Sequence, residues 1–95
     1  MNKTPRDYTQ ELIKLAEDYF EAGEELAKIQ IEKSSCLLIL MTDSKSIKEA
    51  ELKWGCQQGG KRELELIYKM RGLKELISAN KVKIRVMNNE SYNQY

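Results

Sequence analysis

The sequence predicts an all-α fold: a long antiparallel helical hairpin with a short middle helix, expected to dimerise into a four-helix bundle. Three observations point there. Apolar residues recur at alternating steps of four and three early in the chain, and the same rhythm returns late in it. Helix-breaking residues are scarce, with 1 Pro and 5 Gly, which leaves little punctuation for a many-stranded sheet. The chain is expected to be one helical domain over residues 1–95, with helices at 5–41, 47–54 and 61–89 and a frayed tail at 90–95.

The first helix has a clear start. Thr4 can cap it, and Pro5 suits its first turn, where a missing N–H costs nothing. Asp7 and Glu11 then lie near the positive end of the helix dipole. Tyr8, Leu12, Leu15, Tyr19, Ala22, Leu26 and Ile29 form a heptad seam, which continues through Lys33 to Cys36 and Leu40. Beside it runs a second stripe, Ile13, Ala16, Phe20, Gly23 and Ala27, whose small members would admit a neighbouring helix closely.

Thr42 to Ser46 reads as a turn. Ser46-Ile47-Lys48-Glu49 has the spacing of a capping box, in which Ser46 and Glu49 satisfy backbone N–H groups reciprocally. A short helix should follow to about Trp54, which is expected to close an open bundle end with its N–H wet. Gly55 and Gly59-Gly60 are expected to relax the chain into a hinge. The last helix repeats the seam with Leu66, Met70, Leu73, Ile77, Asn80, Ile84 and Met87. A flanking row follows Tyr68, Gly72, Leu76, Ala79, Val82 and Val86. Asn80 and Lys33 are polar insertions that either fix register or lie where water reaches them.

An α/β alternative exists. Lys81 to Val86 alternates strictly and is β-branched on its apolar side, so 82–87 could pair as a strand with the apolar run 36–41. The unbroken heptad favours helix, and two strands alone make a weak sheet.

Length then argues for a companion. A first helix of about 37 residues spans about 55 Å, more than the ~32 Å diameter of a compact globule of this size. Two stripes per helix need more than one neighbour, and a two-fold dimer is the simplest supply. Leu12, Tyr19, Leu26, Leu73, Ile77 and Ile84 are the candidate self-association residues.

Composition narrows the chemistry. Histidine is absent, which removes His-dependent nucleophiles, proton shuttles and zinc sets. Gly55 to Lys61 fits the first seven places of a phosphate-binding loop, but Arg62 stands where a Mg²⁺-holding Ser or Thr belongs, and no strand precedes it. Glu17, Glu21, Glu24 and Glu25 read as surface partners of Lys14 and Lys28. No catalytic residue, cofactor or metal site is expected. Cys36 and Cys56 read as reduced, no apolar run reaches the ~20 residues of a membrane span, and no secretory signal is visible. Those readings place the chain in the host-cell cytoplasm.

Net charge is +1, but residues 1–33 sum to −3 and residues 60–95 to +4. Arg71, Lys74, Lys81 and Arg85 share one side of the last helix. Two readings stand: they face the acidic first helix, or they meet a phosphate backbone or another acidic partner. Tyr92 and Tyr95 are candidates for touching another protein.

Lys45-Ser46-Ile47-Lys48-Glu49-Ala50-Glu51, followed by a basic heptad helix ending Asn88-Asn89-Glu90, resembles small helical-hairpin proteins encoded in early or recombination regions of tailed phages. The resemblance covers about residues 25–92 and carries no functional residues with it. It implies a non-enzymatic phage or mobile-element accessory that self-associates and binds a protein partner, a host defence nuclease among the candidates. The alternative is a DNA-binding accessory of phage recombination or replication, acting through the basic face of the last helix.

Overall fold

The computed structural model of the chain describes residues 4–93, with side-chain burial for residues 4–89. The architecture is an all-α helical hairpin with a short middle helix: α1 (Pro5–Thr42), α2 (Ile47–Cys56) and α3 (Gln58–Asn93). No strand occurs among the described residues. Residues 36–41 lie inside α1 and 82–87 inside α3. In the second of these, Ile84 is half-buried while Val82 and Val86 are exposed, which is helical periodicity; a strand would put all three on one face.

Each helix starts where its capping chemistry allows. At α1 the Thr4 N–H donates to Asp7 Oδ2 (2.9 Å) and the Asp7 N–H donates to Thr4 Oγ1 (3.3 Å), a reciprocal box behind Pro5. At α2 the Glu49 N–H donates to Ser46 Oγ (3.2 Å), but Glu49 Oε2 accepts from the Lys45 N–H (2.9 Å) instead of that of Ser46. The end of α1 is closed by hydroxyls: Thr42 Oγ1 donates to the Ile39 carbonyl and Ser44 Oγ to that of Leu40, both at 2.6 Å.

The α2–α3 junction is tighter than a glycine hinge. α2 continues through Gly55 to Cys56, and α3 begins at Gln58, three residues before the expected start. Gln57 alone separates them, its N–H donating to the Trp54 carbonyl (3.0 Å). Gly59 and Gly60 lie within the first turn of α3 and are there for close approach. A Cβ on Gly59 would come within 2.7 Å of the Trp54 ring, and one on Gly60 would run into the Trp54 carbonyl oxygen. No described residue needs positive φ. At its far end α3 continues to Asn93, so 90–93 are helical; Gln94 and Tyr95 lie outside the described residues, as does the Tyr92 side chain.

The chain divides into two compact units, Met1–Glu21 with Met70–Tyr95 (unit 1) and Ala22–Lys69 (unit 2). In unit 1, Leu12, Leu15 and Tyr19 on α1 and Leu73, Ile77 and Ile84 on α3 are half-buried. Burial within one chain can come only from its own elements, so these seams cover each other. Asn80 is the buried residue at their middle, and the Lys83 ammonium lies 5.4 Å from the centre of the Tyr8 ring. In unit 2, α2 adds a third wall. Ala22, Ala50, Trp54 and Leu66 are buried there, Leu66 to 1% exposure.

Candidate functional site

A polar node holds unit 2. Glu63 on α3 is buried, and its Oε1 accepts from Trp54 Nε1 (3.2 Å) on α2 and Lys33 Nζ (3.3 Å) on α1. One carboxylate thus ties all three helices, and a buried donor and acceptor are satisfied together. This accounts for Lys33 in the first seam. It also corrects the expectation for Trp54: the ring is 4% exposed and its N–H is bonded, not wet.

A second cross-link lies near the surface. Arg62 presents its guanidinium fork to Glu25, with Nη2 to Oε1 at 2.9 Å and Nε to Oε2, and Nη1 reaches Glu65 (3.2 Å). The hydrogen bond from Arg62 holds the Glu25 carboxyl below its ordinary range, and the same contacts push the Arg62 guanidinium further up. Glu25 therefore bridges to α3, where the sequence suggested a lysine neighbour on its own helix. Both contacts fasten helix to helix.

The surface carries the more distinctive features. Among the described residues thirteen large apolar side chains are exposed, against four buried apolar residues. In unit 1 the exposed set includes Ile13 and Phe20, seven residues apart on α1, and Leu76, Val82 and Val86 on α3. In unit 2 it includes Ile31 and Leu38, again seven apart, with Ile39, Ile47 and Leu52. Leu38 and Leu52 are each 72% exposed. The proposed self-association residues lie differently: Leu12, Tyr19, Leu26, Leu73, Ile77 and Ile84 are all half-buried within their own units. The stripes beside the seams are what the fold leaves open. Sequence periodicity had marked Ile13 and Phe20 but passed over Ile31, Leu38 and Leu52, which lie off both rows.

Arg71, Lys74, Lys81 and Arg85 are all exposed on the unit 1 part of α3. Glu11 and Asp18 line a groove with Lys14, Leu15, Leu76, Asn80 and Lys83. Lys74, Lys81 and Arg85 have no ion pair among the described residues. Ser78 and Asn88, also exposed, extend the set to Arg71, Lys74, Ser78, Lys81, Arg85 and Asn88, at steps of three and four. Each follows one seam residue, from Met70 to Met87, so the row runs parallel to the seam. That offset was visible in the sequence, but attention to charge alone missed its two neutral members.

Cys36 is half-buried, Cys56 is exposed, and both thiols are free. No described helix is long and apolar enough to cross a membrane, and no described group of three or more acidic or Cys residues could hold a metal ion. No protein-family model, curated protein or solved structure matches the chain.

Proposed function

We propose that the chain is a non-enzymatic accessory protein that works by contact, pairing with a second copy of itself and binding another protein through the assembled surface. One observation carries the reading: among the described residues thirteen large apolar side chains stand exposed, against four apolar residues that are buried. Exposed apolar side chains that gather along one helix face mark interaction surfaces. A second copy is the nearest source of cover, because the heptad-spaced pairs Ile13–Phe20 and Ile31–Leu38 repeat the geometry by which helices pack side by side. The lack of histidine supports a contact role over catalysis. Two unpaired cysteines support a reducing compartment, the cytoplasm of the host cell. The place of the protein in a phage or mobile element, and a defence nuclease as its partner, rest on the resemblance of residues 25–92.

Sedimentation velocity at micromolar concentration tests self-association. The expected mass is twice the 11.1 kDa of one chain. Ile31→Ser with Leu38→Ser, at positions 71% and 72% exposed, should return the protein to a helical monomer. A monomer at every concentration would defeat the proposal.

A further inference from the structure

We infer that the row Arg71, Lys74, Ser78, Lys81, Arg85 and Asn88 binds the phosphate backbone of duplex DNA without reading its sequence. All six side chains are exposed on one continuous helix within unit 1, and every one offers a hydrogen-bond donor. Four carry positive charge. Arg, Lys, Ser and Asn are the side chains that contact phosphate oxygens in nucleic-acid complexes. From Arg71 to Asn88 the row runs about 26 Å at 1.5 Å per residue, the length of seven or eight base pairs at about 3.4 Å each.

The composition of the row favours this partner over others. A protein interface centres on apolar residues and disfavours Lys, whereas the row itself is wholly polar and its exposed apolar neighbours, Leu76, Val82 and Val86, lie to one side of it. Single strands would be gripped by stacking, but the row holds no aromatic ring, so the duplex backbone is the better match. The main opposing charge is Glu75, which lies beside Arg71, Lys74 and Ser78 in a shallow depression. The acids Glu11 and Asp18 line the groove with Lys14 and Lys83, and Lys74, Lys81 and Arg85 have no ion pair among the described residues. DNA binding here does not depend on self-association, since one chain carries the whole row.

Fluorescence anisotropy with a labelled duplex of about 16 base pairs, twice the footprint, provides the test. Four phosphate contacts per bound chain predict a log–log salt slope of about −3.6, hence roughly a hundredfold loss of affinity between about 50 and about 200 mM salt. Lys74→Glu with Lys81→Glu should weaken binding at least tenfold and flatten the slope, while Lys48→Glu on α2 should leave both unchanged. Lys74→Gln with Lys81→Gln, whose helical circular dichroism should match the parent, guards against a folding artefact and should weaken binding in the same direction. No binding at about 50 mM salt, or full affinity in both double variants, overturns the inference. So would tighter binding to single strands than to duplex, or displacement by polyglutamate as effective as by unlabelled DNA.

Discussion

Unit 2 contains all four buried apolar residues among those described, whereas the buried side chain of unit 1 is polar, Asn80. The two units use the same seams on the same two long helices. What differs is α2. Two helices side by side each cover one stripe of the other, so Leu12, Leu73 and Ile77 stay half-buried. A third helix closes the space over the seam, and Leu66 and Trp54 lose nearly all contact with water. A heptad repeat thus supplies adhesion along a line, while enclosure needs a further wall. The side chains divide the same way: unit 2 holds the Glu63 node, and unit 1 carries the exposed row from Arg71 to Asn88.

The largest test of this contrast removes equivalent bulk from each unit. Leu66→Ala should cost about 3 kcal/mol, because a fully enclosed site cannot drain into solvent. Ile77→Ala, at a half-covered position, should cost about 1–2 kcal/mol. Urea unfolding would measure both, and equal losses would erase the distinction.

Glycine substitutions probe the same contrast through their signs. In unit 2, Gly60→Ala forces a Cβ onto the Trp54 carbonyl, a backbone atom that cannot swing aside, and should destabilise by about 2–3 kcal/mol. In unit 1, Gly72 is exposed within α3 and a Cβ there would meet nothing within 4 Å, so Gly72→Ala should stabilise by about 0.5–1 kcal/mol. Thermal melting read by circular dichroism would show the two midpoints moving in opposite directions.

The smallest expected effect comes from acid. Glu25 has a carboxyl pKa lowered in the folded state by Arg62, so its contribution is present above the ordinary value of 4.5 and fades as pH falls through the folded value. The melting midpoint should therefore decline slightly further below pH 4.5 for the parent than for Arg62→Gln. Identical acid limbs would show that the pair is decorative, as exposed ion pairs often are.

Much of this was legible from residue spacing. Thr4-Pro5 and Ser46-to-Glu49 marked two helix starts through capping chemistry that acts within four residues. The two seams appeared because helical periodicity is a local property. Less legible was everything that depends on a partner distant in sequence. Gly59 and Gly60 looked like a hinge, yet they serve the approach of Trp54. Lys33 looked like an interruption until Glu63, thirty residues later, came beneath its ammonium.

Long amphipathic helices follow from the residue order alone, since periodicity, capping and the scarcity of Pro act along neighbouring residues. Packing in three dimensions was needed to settle which stripe each helix buries, how Glu63 joins three helices, and that Arg62 of α3 pairs with Glu25 of α1 while Lys74, Lys81 and Arg85 have no ion pair among the described residues. Those outcomes depend on which faces meet across a gap of dozens of residues, and a one-dimensional pattern holds several faces that would serve equally well.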